Sequence, residues 1–153
     1  MLRGFQIVII WLLRHGDAED SAEDDDARRL TEKGVRQAEA AGGALTALEV
    51  SIDACLTSPK VRARDMARIA CSQLGVEVEE AEELRGGDFD PVELATGRGD
   101  VLLVGHEPDF SRAIQALTGA RVQLKKGTLA AIEDGMLIAL LGPAELRAIA
   151  ACH

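Results

Sequence analysis

Two short apolar runs, each ending abruptly at a glycine-flanked histidine, constrain the fold of this chain most strongly. Residues 7–13 are apolar up to the motif RHGD, and residues 101–104 are apolar up to Gly105 and His106. Short apolar runs that stop at such a boundary are typical of buried strands in a largely parallel sheet. Ligands bind at the carboxyl ends of strands in α/β sheets, so both His15 and His106 are predicted at a functional edge.

Strand-like and helix-like segments alternate along the chain, which predicts a single α/β domain over residues 1–153. The expected architecture is a three-layer α/β/α sandwich with a mostly parallel mixed sheet. Apolar spacing, caps and turn residues predict a helix at 32–48 after Thr31, a strand at 52–58, a helix starting at Ser58-Pro59, an edge strand at 76–78, a weak helix at 91–96, a helix from Pro108 to Gly119, and an antiparallel hairpin at 129–133 and 136–141.

Composition narrows the class of protein. The formal net charge of −9 disfavours a nucleic-acid or anionic-membrane partner, because the electrostatic attraction would have the wrong sign. Residues 7–13 are too few to cross a membrane and lack a following cleavage signal, so they are predicted to form a strand. The three cysteines are far apart and form no C-x-x-C pair, which favours a cytoplasmic location and disfavours a structural zinc site.

Four cationic or potentially cationic side chains converge in the predicted fold. Arg14 precedes His15 at the first strand end, His106 follows the second, and Arg62 lies in the first turns of a helix, whose amino terminus also favours anions. Arginine matches phosphate oxygens with two parallel hydrogen bonds. The sequence therefore predicts a phosphate-binding site inside an otherwise acidic protein, which phosphate or sulfate would occupy.

The segments LLRHGDAE, RRLTEKG, TSPKVRA, VGHEP and KKGTLA, in this order and spacing, resemble the histidine phosphatase superfamily of phosphoglycerate mutase-like fold. Within it they are most similar to the short phosphohistidine phosphatases of the SixA type. The resemblance extends from Ile7 to Leu141. It implies a phosphatase that needs no metal or other cofactor, in which His15 carries the phosphoryl group while Arg14, Arg62 and His106 bind its oxygens.

Larger members of that superfamily carry a carboxylate that protonates an alcohol leaving group. Here only Glu83 and Asp88 are candidates for such an acid, and both are equally well explained as solvated loop residues. Asp17 either orients His15 or Arg14 or caps the turn that follows them. The lysines before Gly127 and the acidic block at 19–27 are expected to be solvated loops. Contact with basic partners is the less favoured alternative for the acidic block.

Three functions of different classes remain open at this stage. The first is a phosphohistidine phosphatase acting on a protein, for example a phosphorelay carrier. The second keeps the fold and the covalent chemistry but takes a small phosphomonoester, and it would need a working acid at Glu83 or Asp88. The third is a module that binds phosphate or a phosphoprotein without turnover. Intact candidates for the nucleophile and its three partners favour an enzyme.

Overall fold

A computed structural model describes residues 7–152, and Met1–Gln6 and His153 lie outside the described residues. The predicted domain, residues 1–153, includes these terminal residues, and that part of the prediction lies outside the described residues. The described chain forms β1 (Ile9–Arg14), α1 (Glu32–Ala47), β2 (Ala54–Thr57), α2 (Val61–Ser72), β3 (Val78–Glu80), α3 (Pro91–Ala95), β4 (Val101–Gly105), α4 (Asp109–Thr118), β5 (Leu129–Glu133), β6 (Met136–Leu141) and α5 (Pro143–Ala151), with 3-10 helices at Asp25–Ala27 and Glu82–Leu84.

The six strands form one mixed sheet in the order β3-β2-β4-β1-β5-β6. β1 pairs in parallel with β4, and β2 pairs in parallel with both β3 and β4. β5 runs antiparallel to β1 and joins β6 through the turn at Asp134-Gly135. The predicted α/β class with an antiparallel hairpin near the carboxyl terminus is confirmed.

Helices cover both faces of this sheet and produce three layers. On one face, alanine-rich surfaces of α1 and α2 pack with α5 against sheet residues that include Trp11 and Leu102. On the other face, α3 and α4 pack against the alternate sheet residues, with Phe110 fully buried at the start of α4. Successive residues of a strand point to opposite faces, so strands β1 and β4 are apolar throughout because both faces are covered.

The connections after β1 and β4 leave the sheet in opposite directions. The chain after β1 continues into α1 on one face, whereas the chain after β4 continues into α4 on the other face. Since β1 and β4 are neighbours, their carboxyl ends flank the point where the connections diverge. Such a switch point opens a crevice at the strand ends of an α/β sheet, and ligands bind there.

Several predicted boundaries were wrong. The helix expected to begin at Ser58-Pro59 begins at Val61 with Lys60 as its N-cap, because Ser58 continues the β2 strand by donating its backbone N–H to Val104. The edge strand lies two residues later than predicted, at Val78–Glu80.

Helix α5 was not predicted at all, although its start carries a signal. Pro143 follows Gly142 as the first helical residue, and the Glu145 side chain accepts the Gly142 N–H at 2.9 Å. Leu146 of this helix is fully buried against the α1 face of the sheet. Among residues 7–152, the helices are all too short or too polar to cross a membrane.

Candidate active site

The two histidines that end strands β1 and β4 lie side by side in the crevice. Their ring centroids are 5.2 Å apart, and the backbone N–H of His15 donates to the Gly105 carbonyl oxygen at 3.1 Å. Each histidine is only 6% exposed. The parallel pairing of Arg14 with Gly105 therefore brings together two segments that are about ninety residues apart in the sequence.

The imidazole of His15 has a defined tautomer. Its Nδ1 lies 2.8 Å from the carbonyl oxygen of Gly16, and a carbonyl can only accept a hydrogen bond. Nδ1 must then carry the proton, which leaves a lone pair on Nε2. Burial, with smaller contributions from the positive charges of Arg62 and Arg14, lowers the pKa of His15 to about 4. The ring is therefore neutral at physiological pH, as a nucleophile requires.

The imidazole of His106 is also neutral, and a serine holds it in place. Burial and the neighbouring His15 and Arg62 lower the pKa of His106 to about 3. Its Nε2 lies 2.8 Å from Oγ of Ser58, a buried residue that also accepts the backbone N–H of Lys60 at 3.2 Å. The unexpected start of α2 thus places the Ser58 hydroxyl against His106.

The guanidinium of Arg14 is held by a backbone carbonyl. Its NH1 donates to the Leu124 carbonyl oxygen at 2.8 Å, and its buried Nε has no hydrogen-bond partner among residues 7–152. Burial lowers the pKa of Arg14, and the charge of Glu107 opposes this shift. Glu107 in turn accepts the backbone N–H groups of Ser111 and Leu124, so it ties the segment that holds Arg14 to helix α4.

The guanidinium of Arg62 is likewise held by a backbone carbonyl, that of Asp25 in the acidic block. Its NH1 donates to the Asp25 carbonyl oxygen at 2.8 Å, and its NH2 lies 3.3 Å from Oδ2 of Asp25. Its buried Nε, like that of Arg14, lacks a partner within the described part of the chain. The structure thus places Arg14, His15, Arg62 and His106 at one crevice.

Of the two roles left open for Asp17, its contacts fit capping of the turn, because its carboxylate binds Thr31 and Lys126 and forms no hydrogen bond or ion pair with His15 or Arg14 among residues 7–152. Its Oδ2 accepts from the Thr31 hydroxyl at 2.7 Å, and its Oδ1 lies 3.6 Å from Nζ of Lys126. The hydrogen bond from Thr31, followed by the charge of Lys126, keeps the pKa of Asp17 below its usual value. Asp17 therefore ties the His15 turn to the amino terminus of α1, where Thr31 caps the helix by accepting the Gly34 N–H.

Lys126, expected to be a solvated loop residue, lies close enough to His15 to contribute to the lowering of its pKa. Gly127, its neighbour, donates its backbone N–H to the His15 carbonyl oxygen at 3.1 Å. The resemblance of KKGTLA to a family segment was the available signal for this residue. A cation beside the site adds to the local positive potential that an anionic ligand needs.

Glu83 and Asp88, the two candidate acids, are both exposed on the segment after β3. A third carboxyl, that of Asp109, was missed in the sequence. It is partly buried in the first turn of α4, three residues after His106, and burial raises its pKa against the opposing effects of Gly87 and Arg112. Its position just beyond a strand-end histidine was the signal that could have found it.

A larger apolar groove lies at the opposite end of the strands from the two histidines and has no part in this site. It has a volume of about 820 Å³ and is lined by residues that include Ile7, Val92 and Gly135. A smaller cavity of about 520 Å³ adjoins Arg14 and includes Glu107 and Arg121. The strand-end crevice is the better candidate because it contains the neutral imidazoles and the arginines, whereas the larger groove contains none of them.

Comparisons with known proteins assign the chain to a class and then to a family. Residues 10–100 match the histidine phosphatase superfamily (branch 1). A phosphohistidine phosphatase SixA homolog from Haemophilus influenzae is 32% identical over 128 residues, covering 73% of this chain and 78% of the relative. An uncharacterized protein from Picosynechococcus is 31% identical over 140 residues, covering 82% and 85%. The protein is a phosphatase, and it belongs to the histidine phosphatase superfamily.

Solved structures agree on the fold. SixA from Agrobacterium tumefaciens superposes with a TM-score of 0.78 at 24% identity, covering 89% of this chain and 98% of that one. A protein histidine phosphatase SixA complexed with tungstate gives the same TM-score at 23% identity, covering 90% and 99%. The fold is therefore phosphoglycerate mutase-like.

Proposed function

We propose that this phosphatase removes the phosphoryl group from a phosphohistidine protein through a covalent intermediate on His15. The observation that carries the proposal is the contact between Nδ1 of His15 and the Gly16 carbonyl oxygen, at 2.8 Å. This contact leaves the lone pair of a neutral ring on Nε2. An imidazole in that state, beside two arginines, has what in-line attack on phosphorus needs.

In the first step Nε2 of His15 attacks phosphorus while the bond between phosphorus and the substrate nitrogen breaks. The electron pair of that bond stays on the departing imidazole nitrogen, which requires no further proton if the leaving ring already carries one on its other nitrogen. Arg14, Arg62 and His106 bind the three equatorial oxygens, where charge accumulates. Phosphoryl transfer depends mainly on positioning and on charge stabilisation, and these residues provide both.

In the second step water attacks the phosphorus of phospho-His15. The P–N bond breaks, its electron pair returns to Nε2, and the proton that the attacking water loses goes to solvent or to the released phosphate. The enzyme regains a neutral imidazole. A low pKa for His15 favours this product state, because the released ring does not take up a proton that would block the next attack.

The choice of phosphohistidine as substrate rests on the leaving group. An imidazole leaves from phosphorus without help from an acid, whereas an alkoxide needs a proton. Of the three carboxyls described above, Glu83 and Asp88 are exposed, and the partly buried Asp109 interacts with the Gly87 backbone and with Arg112. The SixA homolog of Haemophilus influenzae supports the same choice. The tungstate complex of a SixA protein supports an oxyanion site, since tungstate is a tetrahedral oxyanion like phosphate.

The proposed mechanism needs no metal ion, because guanidinium and imidazole groups supply the positive charge and the hydrogen-bond donors.

We also place the protein in the cytoplasm. Cys55, Cys71 and Cys152 are free thiols, and the buried Cys55 and Cys71 are close enough to raise the pKa of the Cys55 thiol through their hydrogen bond. A reducing compartment keeps such neighbouring thiols from forming a disulfide.

The test is to trap the intermediate. The protein is mixed with a radiolabelled phosphohistidine protein in the presence of EDTA and denatured in alkali, in which phosphohistidine survives. Label should transfer to the peptide that contains His15, and the His15→Ala protein should take up none. Label on any other residue, or turnover that EDTA abolishes and magnesium restores, would overturn the proposal. If only a small phosphomonoester is turned over, the substrate assignment is wrong and the covalent chemistry stands.

A further inference from the structure

The acidic segment, residues 24–27, contacts Arg62 of the proposed site through Asp25, whose carboxylate is otherwise 60% exposed. Asp24 caps the 3-10 helix Asp25–Ala27 by accepting the backbone N–H of Asp26 at 3.1 Å. Lys60 at the start of α2 lies 3.9 Å from both Asp25 and Asp26, and Arg85 forms an ion pair with Asp26. Net negative charge alone does not explain this arrangement, because the carboxylates of Asp25 and Asp26 are each paired with cations.

Asp25 binds one particular edge of the Arg62 guanidinium. Its carbonyl oxygen accepts from NH1 and its carboxylate faces NH2, so both contacts lie on the end of the guanidinium that is remote from the side-chain stem. The remaining edge consists of Nε and the second hydrogen of NH2. Nε of Arg62 is buried and has no partner within residues 7–152. A planar fork held on one edge offers the other edge for two parallel hydrogen bonds to an oxyanion.

Arg14 shows the same geometry with a different anchor. Its NH1 is held by the Leu124 carbonyl oxygen, and its Nε is likewise buried without a partner in the described chain. In both arginines Nε therefore has no partner in the described chain, and NH1 is held by a backbone carbonyl. The difference is that Arg62 also meets a carboxylate. Asp25 is in turn fixed by Arg28, which donates to its Oδ1 at 3.2 Å.

We propose that Asp25 is a positioning residue that holds the NH1/NH2 edge of Arg62 and thereby turns its Nε/NH2 edge toward the transferred phosphoryl group. This inference rests on the proposed function, in which Arg62 binds a phosphoryl oxygen. Asp25 itself does not touch the substrate. The acidic segment that looked like a solvated loop then serves to orient a cation in the site.

The experiment measures kcat/KM with a phosphohistidine protein and the inhibition constant of vanadate, which mimics five-coordinate phosphorus. Asp25→Ala should weaken vanadate and reduce kcat/KM by about two- to fivefold, because it removes only the exposed carboxylate at NH2 and keeps the backbone carbonyl that accepts from NH1. Asp25→Asn should lose less, because its amide oxygen still accepts from NH2. Glu23→Gln is the matched control, since it removes the same charge from an exposed neighbour that has no ion pair to Arg62. It should leave both values nearly unchanged.

A double variant separates positioning from a general effect on structure. In an Arg62→Ala background, Asp25→Ala should cause no further loss of vanadate affinity, because the group it positions is gone. A full additional loss would overturn the inference. So would tighter vanadate binding by Asp25→Ala, which would make Asp25 a competitor of the phosphoryl group, or an effect equal to that of Glu23→Gln.

The same data distinguish this inference from the proposed function. If Arg62→Ala alone leaves turnover and vanadate inhibition intact, the assignment of Arg62 fails, and the role of Asp25 fails with it. If Arg62→Ala is severely impaired while Asp25→Ala behaves like the Glu23→Gln control, only the role of Asp25 fails. Thermal unfolding of each variant, expected to match that of the unmodified protein, shows that the fold is retained.

Discussion

Oγ of Ser58 lies 2.8 Å from Nε2 of His106 and joins the end of strand β2 to the end of strand β4. The same oxygen accepts the backbone N–H of Lys60 and keeps a hydroxyl proton that it can donate to Nε2, which is the arrangement we expect. A ring that accepts at Nε2 carries its own proton on Nδ1. That proton is then available to a phosphoryl oxygen, whereas the other tautomer would present a lone pair to an anion.

Ser58→Ala should therefore reduce kcat more than it changes the stability of the fold. Without the hydroxyl, His106 loses the partner that selects its tautomer, and we expect a fall of about tenfold, typical of one lost hydrogen bond in a site. Ser58→Thr, which keeps the hydroxyl, should recover most of the rate. Nitrogen chemical shifts should show Nδ1 protonated in the unmodified protein; a ring protonated on Nε2 would contradict this assignment.

The two imidazoles should not titrate near neutral pH. With pKa values of about 4 for His15 and about 3 for His106, their carbon-bound proton resonances should stay constant from pH 8 to about 5. Spectra of His15→Gln and His106→Gln proteins assign the signals. A midpoint near 6.5 for either ring would show that burial does not control its charge.

The same shifts predict a pH dependence of stability with a definite sign. The pKa of His15 is lower in the folded protein than in the unfolded chain, so the unfolded chain takes up a proton first as the pH falls below about 6.5. The contribution of His15 to the free energy of unfolding should be constant above pH 6.5 and decline until about pH 4, by roughly 3 kcal/mol. Urea unfolding of the unmodified and His15→Gln proteins across this range measures the difference, which should narrow or reverse at low pH.

Arg62→Ala and His15→Ala should differ in severity. Removing one donor that stabilises developing oxyanion charge typically costs about 10² to 10³ in rate, so Arg62→Ala should retain measurable turnover. His15→Ala removes the atom that forms the covalent bond and should be worse. Single-turnover rates with a phosphohistidine protein provide the comparison, and a fully active His15→Ala protein would end the covalent mechanism.

Glu83→Gln and Asp88→Asn should have little effect on turnover of phosphohistidine. Both residues are exposed, and the proposed leaving group does not depend on an enzymatic acid. The measurement is kcat/KM for each variant with a phosphohistidine protein and, separately, with an alkyl phosphate. Equal and severe losses on both substrates would make a carboxylate essential and the choice of phosphohistidine wrong.

Much of the fold follows from signals that lie close together in the sequence. Thr31 caps α1 as predicted, and its hydroxyl accepts the Gly34 N–H three residues later. Asp134 and Gly135 both adopt positive φ angles in the predicted hairpin turn. Such signals depend on contacts within a few residues, so the caps and turns that they predict form unless tertiary contacts oppose them. The predicted start of α2 was wrong. The Ser58 backbone N–H donates to the carbonyl of Val104, a residue far along the chain, and α2 begins only at Val61.

The sequence by itself determined which chemical groups end the central strands: an arginine and a histidine after β1, and a histidine after β4. Apolar runs bounded by glycine are sufficient for that, because strand ends in a parallel sheet share one edge. Only the tertiary structure decided how these groups are held. The Arg14–Leu124 and Arg62–Asp25 contacts join residues 110 and 37 positions apart. No local pattern encodes such contacts, since they depend on the path of the whole chain around the sheet.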